Sequence, residues 1–178
     1  MPMNQRIAEH GTLGRPHTDA DYDVHDDLIQ DTSLPTMALI GRLLIAAIFL
    51  ASGVGKLTNT PGTVAQMTAA GIPYADTLAI VAGAAEVLGA ISIATGFLTR
   101  AGSLGLILFM IPTTLIFHAF WKEAGEARMP QMVNFMKNVA ITGGLAVLMA
   151  QGAGRFSLDH RIQRATARRR ARRDLITR

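Results

Sequence analysis

The chain of 178 residues contains no cysteine. Without cysteine it has no disulfide bond, no thiolate nucleophile, no cysteine-ligated iron–sulfur cluster and no covalently attached c-type haem. Any redox chemistry therefore requires a bound cofactor or a quinone. The first 35 residues also lack the basic segment and apolar run of a cleavable signal peptide. The first apolar helix is therefore expected to act as its own insertion signal.

Polar helical faces are also scarce. Apolar residues make up 49% of the chain, mean hydropathy is +0.28, and the apolar residues fall into blocks near 36–56, 75–98, 101–121 and 132–151. Each block has about 20 residues, the length at which a helix crosses about 30 Å of hydrocarbon. A soluble bundle is the alternative, but its helices would need polar outer faces. The sequence therefore predicts an all-α membrane protein with four transmembrane helices in an antiparallel bundle.

Charge divides the chain into three parts. Residues 1–35 carry seven acidic residues against two arginines, a net charge of −5, and are predicted to form a disordered acidic tail. Residues 36–155 form the predicted membrane domain, and residues 156–178 an arginine-rich tail. Counted from Arg155, nine arginines stand against two aspartates, a net charge of +7. The positive-inside rule places this tail in the cytoplasm, and four spans then place the N-terminus there too, in a multi-pass protein of the cell (inner) membrane.

The two tails are candidate binding segments. The basic tail is predicted to set topology and to attract anionic lipid, at about 1 kcal/mol per basic residue near the surface. Its segment RIQRATARRRARRDLI is a candidate helix along the membrane. A nucleic-acid patch is the disfavoured alternative. The acidic tail could instead fold back on the basic one, and membrane or cytoplasmic proteins are further expected partners.

Three histidines of the acidic tail, His10, His17 and His25, lie among aspartates. A metal site is one interpretation of this composition. Their spacing fits no compact ligand motif, and a solvated tail explains the same residues. The sequence therefore predicts no metal site.

A single acidic residue, Glu86, lies in the middle of the second apolar block. A carboxyl group at mid-bilayer costs about 2.5–3.5 kcal/mol even on insertion-based scales. Helical spacing places Glu86 on one face with small residues, which favour close helix packing over contact with lipid: Ala79, Ala82, Gly83, Gly89 and Ala90. Glu86 is therefore predicted to be a buried site residue that holds a partner or a proton.

Four other polar residues are predicted to lie near Glu86. Lys56, His118, Asn134 and Asn138 fall within about two turns of the external boundary, and Glu86 lies about 16 Å inside it at about 1.5 Å per residue. Antiparallel neighbours would gather them into one polar cleft open to the outer side. Either Lys56 or His118 could pair with Glu86, and the spacing does not choose between them.

Two further site candidates lie near helix ends. Arg42, toward the cytoplasmic side of the first helix, would either extend to the interface or pair inward. Trp121 belongs to the segment FHAFW, for which the simpler interpretation is an interfacial aromatic belt with a satisfied histidine. Both remain candidates for binding a quinone or an anionic substrate.

Several segments resemble the DoxX family, which includes DoxD-type subunits. The matching elements are RLLIAAIFLASGVGKL (42–57), GIPYA (71–75), AEVLGAISIATGFLTRAGSLGL (85–106), HAFW (118–121) and NFMKNVAITGGLAVLMAQGAGRFSLD (134–159). The resemblance implies a four-helix integral membrane fold, with the family pattern at Arg42, Lys56, Glu86, His118 and Asn138. It also implies an association with oxidoreductase systems. DoxD-type proteins are associated with thiosulfate oxidation coupled to quinone, and DoxX proteins with thiol-redox and oxidative-stress complexes.

The resemblance and the predicted cleft lead to a first functional hypothesis. The chain would be an inner-membrane component of an oxidoreductase system, with a quinone as candidate cofactor and no covalently bound one. Glu86 and His118 would transfer protons. The residues that would bind the quinone or an anionic substrate are Arg42, Lys56, Asn134, Asn138 and Trp121.

The second hypothesis is a non-enzymatic scaffold or assembly subunit that recruits partner proteins through its charged tails. The polar residues would then connect helices, at about 0.6 kcal/mol per contact. Small-molecule transport is a third option, disfavoured by only four spans and no visible inverted repeat. The sequence leaves open whether the chain is an enzyme.

Overall fold

The computed structural model describes residues 33–176, which contain helices and turns but no β-strand. Six α-helices follow one another in this part of the chain: α1 (Ser33–Thr58), α2 (Thr60–Ala69), α3 (Ala75–Thr95), α4 (Thr99–Phe117), α5 (Arg128–Gln151) and α6 (Leu158–Ile176). Two short 3₁₀ turns, Phe120–Lys122 and Gly125–Ala127, lie between α4 and α5. Residues 1–32, with most of the predicted acidic tail and its three histidines, lie outside the described residues.

Four helical segments are long and apolar enough to cross a membrane: Leu34–Thr58, Ala75–Thr95, Thr99–Lys122 and Gly125–Gln151. They coincide with the four apolar blocks of the sequence. Large side chains such as Leu44, Leu88, Leu108 and Val147 are exposed on their outer faces, where lipid tails would contact them. The prediction of an all-α membrane protein with a bundle of four spans is confirmed.

The core between the four spanning helices is made of small and medium-sized apolar side chains. Each helix contributes to it, and its buried members are Ala46, Phe49, Ala90, Ile93, Leu106, Met110 and Leu145. Since lipid tails are as apolar as these side chains, the helices associate mainly through close packing and interhelical hydrogen bonds. Small residues permit that packing, and polar side chains provide the hydrogen bonds.

The bundle has two chemically different ends. We refer to the end formed by residues 57–74 and 118–131 as the loop end. The opposite end, formed by residues 96–100 and 152–161, is referred to as the basic end because the arginine-rich helix α6 begins there. Lys56 lies toward the loop end and Arg42 toward the basic end.

Helix α2 was not expected, since it lies between the first two apolar blocks, where no helix was predicted. Asn59 caps this helix by accepting a hydrogen bond from the Gly62 backbone N–H at 3.3 Å, and Pro61 lies in its first turn. Met67 is buried on its inner face, beside apolar residues of α3 and α4: Ala75, Ala79, Ala82, Phe109 and Phe117. A helix of ten residues is marginal alone. Its packing against α3 and α4 therefore stabilises it.

A set of long-range hydrogen bonds at the basic end holds the start of α6 against the bundle. The Asp159 carboxylate accepts hydrogen bonds from the backbone N–H groups of Leu98 at 3.0 Å and Thr99 at 3.2 Å. It thereby caps the N-terminus of α4. The Asp159 N–H donates to the Gly96 carbonyl at 3.0 Å. Gly96 has φ +70°, and an added Cβ would lie 2.5 Å from Ser157 Cβ, so only glycine fits there.

Helices α1 and α3 cross closely where Gly53 faces Gly83. A Cβ added at Gly53 would lie 2.7 Å from the Gly83 carbonyl oxygen and 2.9 Å from Val87 Cγ2. Backbone atoms cannot move aside as a flexible side chain would. The crossing therefore depends on glycine, and it sets the distance between the helices that carry Lys56 and Glu86.

Substituting Gly53 tests this crossing. The variant Gly53→Ala is expected to lower the free energy of unfolding by about 1–3 kcal/mol, because the added methyl group forces the helices apart. Gly55→Ala is the matched control on the same helix, since a Cβ there meets nothing within 4 Å. Thermal unfolding in detergent micelles compares the two. Equal midpoints for both variants would show that the crossing tolerates a side chain.

Candidate functional site

Lys56 and Glu86 form an ion pair between α1 and α3. Lys56 Nζ donates to Glu86 Oε1 at 3.0 Å, to Glu86 Oε2 at 2.9 Å and to Ser52 Oγ at 2.7 Å. The three donors of the ammonium group thus each have an acceptor. The Glu86 side chain is only 4% exposed and that of Lys56 23% exposed. The Glu86 carboxylate therefore lies inside the bundle, and the Lys56 ammonium group balances its charge.

A cavity of about 350 Å³ lies beside this ion pair, and we refer to it as the Glu86 cavity. All four spanning segments contribute to its lining, which consists of Ile48, Phe49, Ser52, Lys56, Glu86, Met110, Thr113, His118, Lys137, Asn138 and Ile141. Antiparallel packing brings together polar side chains that are far apart in sequence. Seven of these side chains can form hydrogen bonds, and the other four are apolar.

Two further spaces adjoin the Glu86 cavity. A vestibule of about 490 Å³ toward the loop end shares Lys56, Thr113 and His118 with it. An apolar groove of about 510 Å³ runs beneath α2, between α3 and α4, and shares Thr113 with both spaces. Its lining is almost wholly apolar and includes Ile72, Pro73, Leu78, Val81, Phe109, Ile116 and Phe117. Thr113 therefore lies where the Glu86 cavity, the vestibule and the apolar groove meet.

His118 directly follows α4 and lines both the Glu86 cavity and the vestibule. Its Nδ1 lies 2.8 Å from Gln131 Oε1. With this orientation of the Gln131 amide, Nδ1 donates to its oxygen, and Nε2 of the neutral ring is then an acceptor. The contact with Gln131 thus holds one side of the ring.

The two predicted asparagines occupy different positions. Asn138 is buried, lines the Glu86 cavity and donates from Nδ2 to Thr114 Oγ1 at 3.1 Å, which connects α5 with α4. Asn134 lies about one turn nearer the loop end and is not among the cavity residues. Its Oδ1 accepts a hydrogen bond from Lys137 Nζ at 2.9 Å on the exposed side of α5. Lys137 in turn lines the cavity, so Asn134 is in contact with a cavity residue.

Arg42 lies at the basic end, away from the Glu86 cavity. Its guanidinium is buried and donates from Nη1 to the Ala153 carbonyl and from Nη2 to the Phe156 carbonyl, both at 2.6 Å. Of the two interpretations, the structure therefore shows inward pairing, with backbone carbonyls as acceptors. Arg42 connects α1 with the turn between α5 and α6.

Trp121 lies at the loop end in a cluster of three aromatic rings. Edge-to-face contacts join it to Phe120 at 5.2 Å and to Phe135 at 5.6 Å between ring centroids. Half of the Trp121 side chain is exposed, and it does not line the cavity or the vestibule. Its surroundings match an interfacial aromatic contact.

Several polar residues that line the cavity or the vestibule were not predicted, among them Ser52, Thr113 and Gln131. Ser52 stands four residues before Lys56, a spacing that places both on one helical face, so helical periodicity could have found it. Thr113 adjoins Pro112, which marks an irregular helix but no particular contact. Gln131 lies in the first turn of α5, and nothing in the sequence distinguishes it from its polar neighbours.

The cavity combines three kinds of group that can act on a ligand. Glu86 can accept or release a proton, Asn138 can donate its second amide N–H to an oxygen, and His118 Nε2 can accept a hydrogen bond. Within residues 33–176, no group of three or more His, Asp or Glu side chains could hold a metal ion.

Comparisons with known proteins give consistent matches. The family model described as DoxX matches residues 37–119. The chain is 39% identical over 127 residues to inner membrane protein YphA of Escherichia coli K12, covering 71% of this chain and 91% of that protein. It is 35% identical over 122 residues to inner membrane protein YqjF of the same organism, covering 68% and 88%. It is 28% identical over 151 residues to uncharacterized membrane protein Rv3486 of Mycobacterium tuberculosis, covering 75% and 86%. No solved structure matches the chain.

Proposed function

Because the chain belongs to the DoxX family of membrane proteins, we propose that it is the membrane component of an oxidoreductase system and binds a quinone in the Glu86 cavity. The observation that carries this proposal is the buried Lys56–Glu86 ion pair beside a cavity of about 350 Å³. Intramembrane charged residues at such a place mark sites of binding or proton movement more often than structural contacts.

The residues present fit a quinone head and tail. A quinone ring is flat and apolar with carbonyl oxygens at opposite edges, and the cavity has apolar faces with donors at its rim. Asn138 would donate to one oxygen with its second amide N–H, and Lys56 would donate to the same oxygen by giving up its hydrogen bond to Ser52 Oγ. The apolar groove beneath α2 begins at Thr113 and would take the hydrocarbon tail. Arg42, Asn134 and Trp121 have no direct part in this arrangement.

Glu86 and His118 are the residues that would transfer protons. A bound quinone supplies the acceptor for electrons and protons. Glu86 would give its proton to the ring oxygen, and Lys56 would balance the charge of the carboxylate that remains. His118 would connect Glu86 to the vestibule, because its ring lines both spaces and its Nε2 is an acceptor.

The proposed membrane rests on the relatives, and the proposed orientation rests on charge alone. Two relatives are described as inner membrane proteins, which supports the inner membrane for this chain. With the positive-inside rule, the basic end and both termini face the cytoplasm. The vestibule then opens to the outer side.

Titration with quinones tests the proposal. Purified protein in nanodiscs is titrated calorimetrically with ubiquinone and menaquinone analogues. Wild type is expected to bind one class, and Glu86→Gln and Lys56→Met to bind about tenfold less tightly or worse, as expected on losing a charge-assisted hydrogen bond. Asp76→Asn is the matched control, because it makes the same chemical change at an exposed residue of α3. Absence of binding by both quinone classes to wild type would overturn the proposal.

A second candidate function is a scaffold, and α6 favours it. Arginines lie around most of the circumference of this helix, and its side chains are exposed wherever they are described beyond His160. A helix that is polar all round does not pack into a membrane bundle, so it is available to a partner protein. Deleting 160–178 retains Asp159 and its contacts with α4. Loss of co-purifying proteins with intact membrane insertion would support the scaffold, and retention of those proteins would exclude this tail as the recruiting element.

A further inference from the structure

Lys137 is a charged residue of the Glu86 cavity to which the proposed function gives no role. It belongs to α5 and lies within the spanning segment Gly125–Gln151. The charged residues in the lining of the cavity are Lys56, Glu86 and Lys137. Two lysines therefore stand against one glutamate, and the lining carries a net positive charge when His118 is neutral.

The Glu86 carboxylate does not balance the charge of Lys137. Both of its oxygens accept hydrogen bonds from Lys56 Nζ, at 3.0 Å and 2.9 Å. Within residues 33–176, Lys137 Nζ donates to Asn134 Oδ1 at 2.9 Å, and no carboxylate lies within ion-pair distance of it. An amide oxygen is neutral, and an ammonium group has three donors. Two N–H groups and an unbalanced positive charge therefore remain for a ligand.

The position of Lys137 on α5 favours the cavity as the place for this charge. Helical spacing puts Lys137 at the edge between two sides of the helix. On one side, Asn138 and Ile141 line the cavity. On the other side, Val133 and Met136 are both 57% exposed, where lipid tails would contact them. Because a charge is costly in hydrocarbon, the ammonium group is more stable on the cavity side.

The other lining groups indicate what kind of anion fits. Asn138 donates one Nδ2 hydrogen to Thr114 Oγ1, so its second N–H can meet the same ligand. The apolar part of the wall consists of Ile48, Phe49, Met110 and Ile141. An inorganic anion would leave this apolar wall without contact, and a neutral ring would leave Lys137 without a charged acceptor. The lining therefore fits an apolar ring that carries an ionised oxygen.

We propose that Lys137 makes the Glu86 cavity selective for a quinone whose ring carries an ionised hydroxyl group, in preference to a neutral quinone of the same size. This inference rests on the proposed function, because it assigns a charge to the ligand of the same cavity. Lys137 Nζ donates to the ionised oxygen, and Asn134 positions the ammonium group through its side-chain oxygen. Lys137 thus determines specificity, whereas Glu86 and His118 move protons.

A matched pair of naphthoquinones tests this selectivity. The hydroxynaphthoquinone lawsone is ionised at neutral pH, whereas its methyl ether is neutral and has nearly the same size. Both are titrated calorimetrically into the full-length protein in phosphatidylcholine nanodiscs, which carry no net charge. Wild type is expected to bind lawsone at least about tenfold more tightly than the ether, as expected for a charge-assisted hydrogen bond. Lys137→Met should abolish this preference and change the affinity for the ether by less than about twofold, whereas Lys137→Arg should keep the preference.

Lys122→Met is the matched control, because it removes the same charge from an exposed residue outside the cavity lining. It should leave the preference for lawsone unchanged. If Lys137→Met fails to fold, Lys137→Gln gives the same test, since it keeps a donor but loses the charge. Equal binding of lawsone and the ether by wild type would overturn the selectivity while leaving quinone binding intact. An unchanged preference in Lys137→Met would also overturn it, and would show that this lysine only extends toward the interface. Absence of binding of both compounds to wild type would overturn the quinone site and this inference together.

Discussion

Replacing Lys56 with methionine is expected to lower the free energy of unfolding by about 3–5 kcal/mol, the usual result of leaving a buried charge without its partner. Glu86 would keep its carboxylate in the bundle interior, where its side chain is 4% exposed, and would lose the donor that contacts both of its oxygens. Unfolding by sodium dodecyl sulfate in mixed micelles measures the change. A loss below about 1 kcal/mol, as for surface ion pairs, would show that water reaches the carboxylate.

The double variant Lys56→Met/Glu86→Leu separates charge imbalance from packing. It is expected to recover most of the lost stability, because apolar replacements of a buried pair are often neutral or stabilising. The two side chains are in contact, so their single effects should not add. Asp76→Asn is the control for removing an exposed carboxylate from the same helix. If the double variant unfolds as easily as Lys56→Met, the ion pair itself provides the stability.

The same double variant bears on function. If it folds as well as wild type but no longer binds a quinone, the pair exists for the ligand. If it folds and the chain still assembles with its partners, the Lys56–Glu86 ion pair is not needed for assembly. The helix α6 is then the element to test for partner recruitment. Stability and binding therefore have to be measured on one preparation.

Helical periodicity was sufficient to place Glu86. The sequence predicts one face with Ala79, Ala82, Gly83, Gly89 and Ala90. The structure buries Glu86 and all of these residues except Gly89, which is partly buried. A spacing of three and four residues is a local property, so no partner has to be known. The similar depths of Lys56, His118 and Asn138 in antiparallel neighbouring helices also predicted that they lie together. In the structure all three line the Glu86 cavity.

The sequence could not decide which residue pairs with Glu86. Lys56 and His118 were both available to Glu86, and only the crossing of α1 and α3 at Gly53 decides for Lys56. Asn134 differs from Asn138 by one helical turn, yet its side chain lies outside the cavity. Rotation of a helix by a fraction of a turn changes such an assignment, and it depends on the packing of every neighbour. The proton-transfer and quinone-binding roles of these residues stay predictions.

Sequence patterns do not identify backbone carbonyl acceptors, as the hydrogen bonds of Arg42 show. The sequence leaves two interpretations of Arg42, extension to the interface or inward pairing, and names no partner for the second. The structure gives Arg42 the carbonyls of Ala153 and Phe156, which lie more than a hundred residues later. Any residue type supplies a carbonyl, so only the fold of the turn after α5 identifies the acceptor.

Replacing Arg42 with methionine is therefore expected to be the most damaging change at the basic end. Each hydrogen bond from a charged donor contributes about 1.5–3 kcal/mol, so losing two should lower the free energy of unfolding by about 3 kcal/mol or more. The turn between α5 and α6 would be released, and a protease should cleave near Arg155 sooner than in wild type. Arg42→Lys should recover only part of the loss, because an ammonium lacks the planar fork that spans both carbonyls. Arg164→Met removes the same charge from an exposed position of α6 and should leave both readouts unchanged. If Arg42→Met matched this control, the two hydrogen bonds would not hold α6 to the bundle, and the orientation of the arginine-rich helix would rest on Asp159 alone.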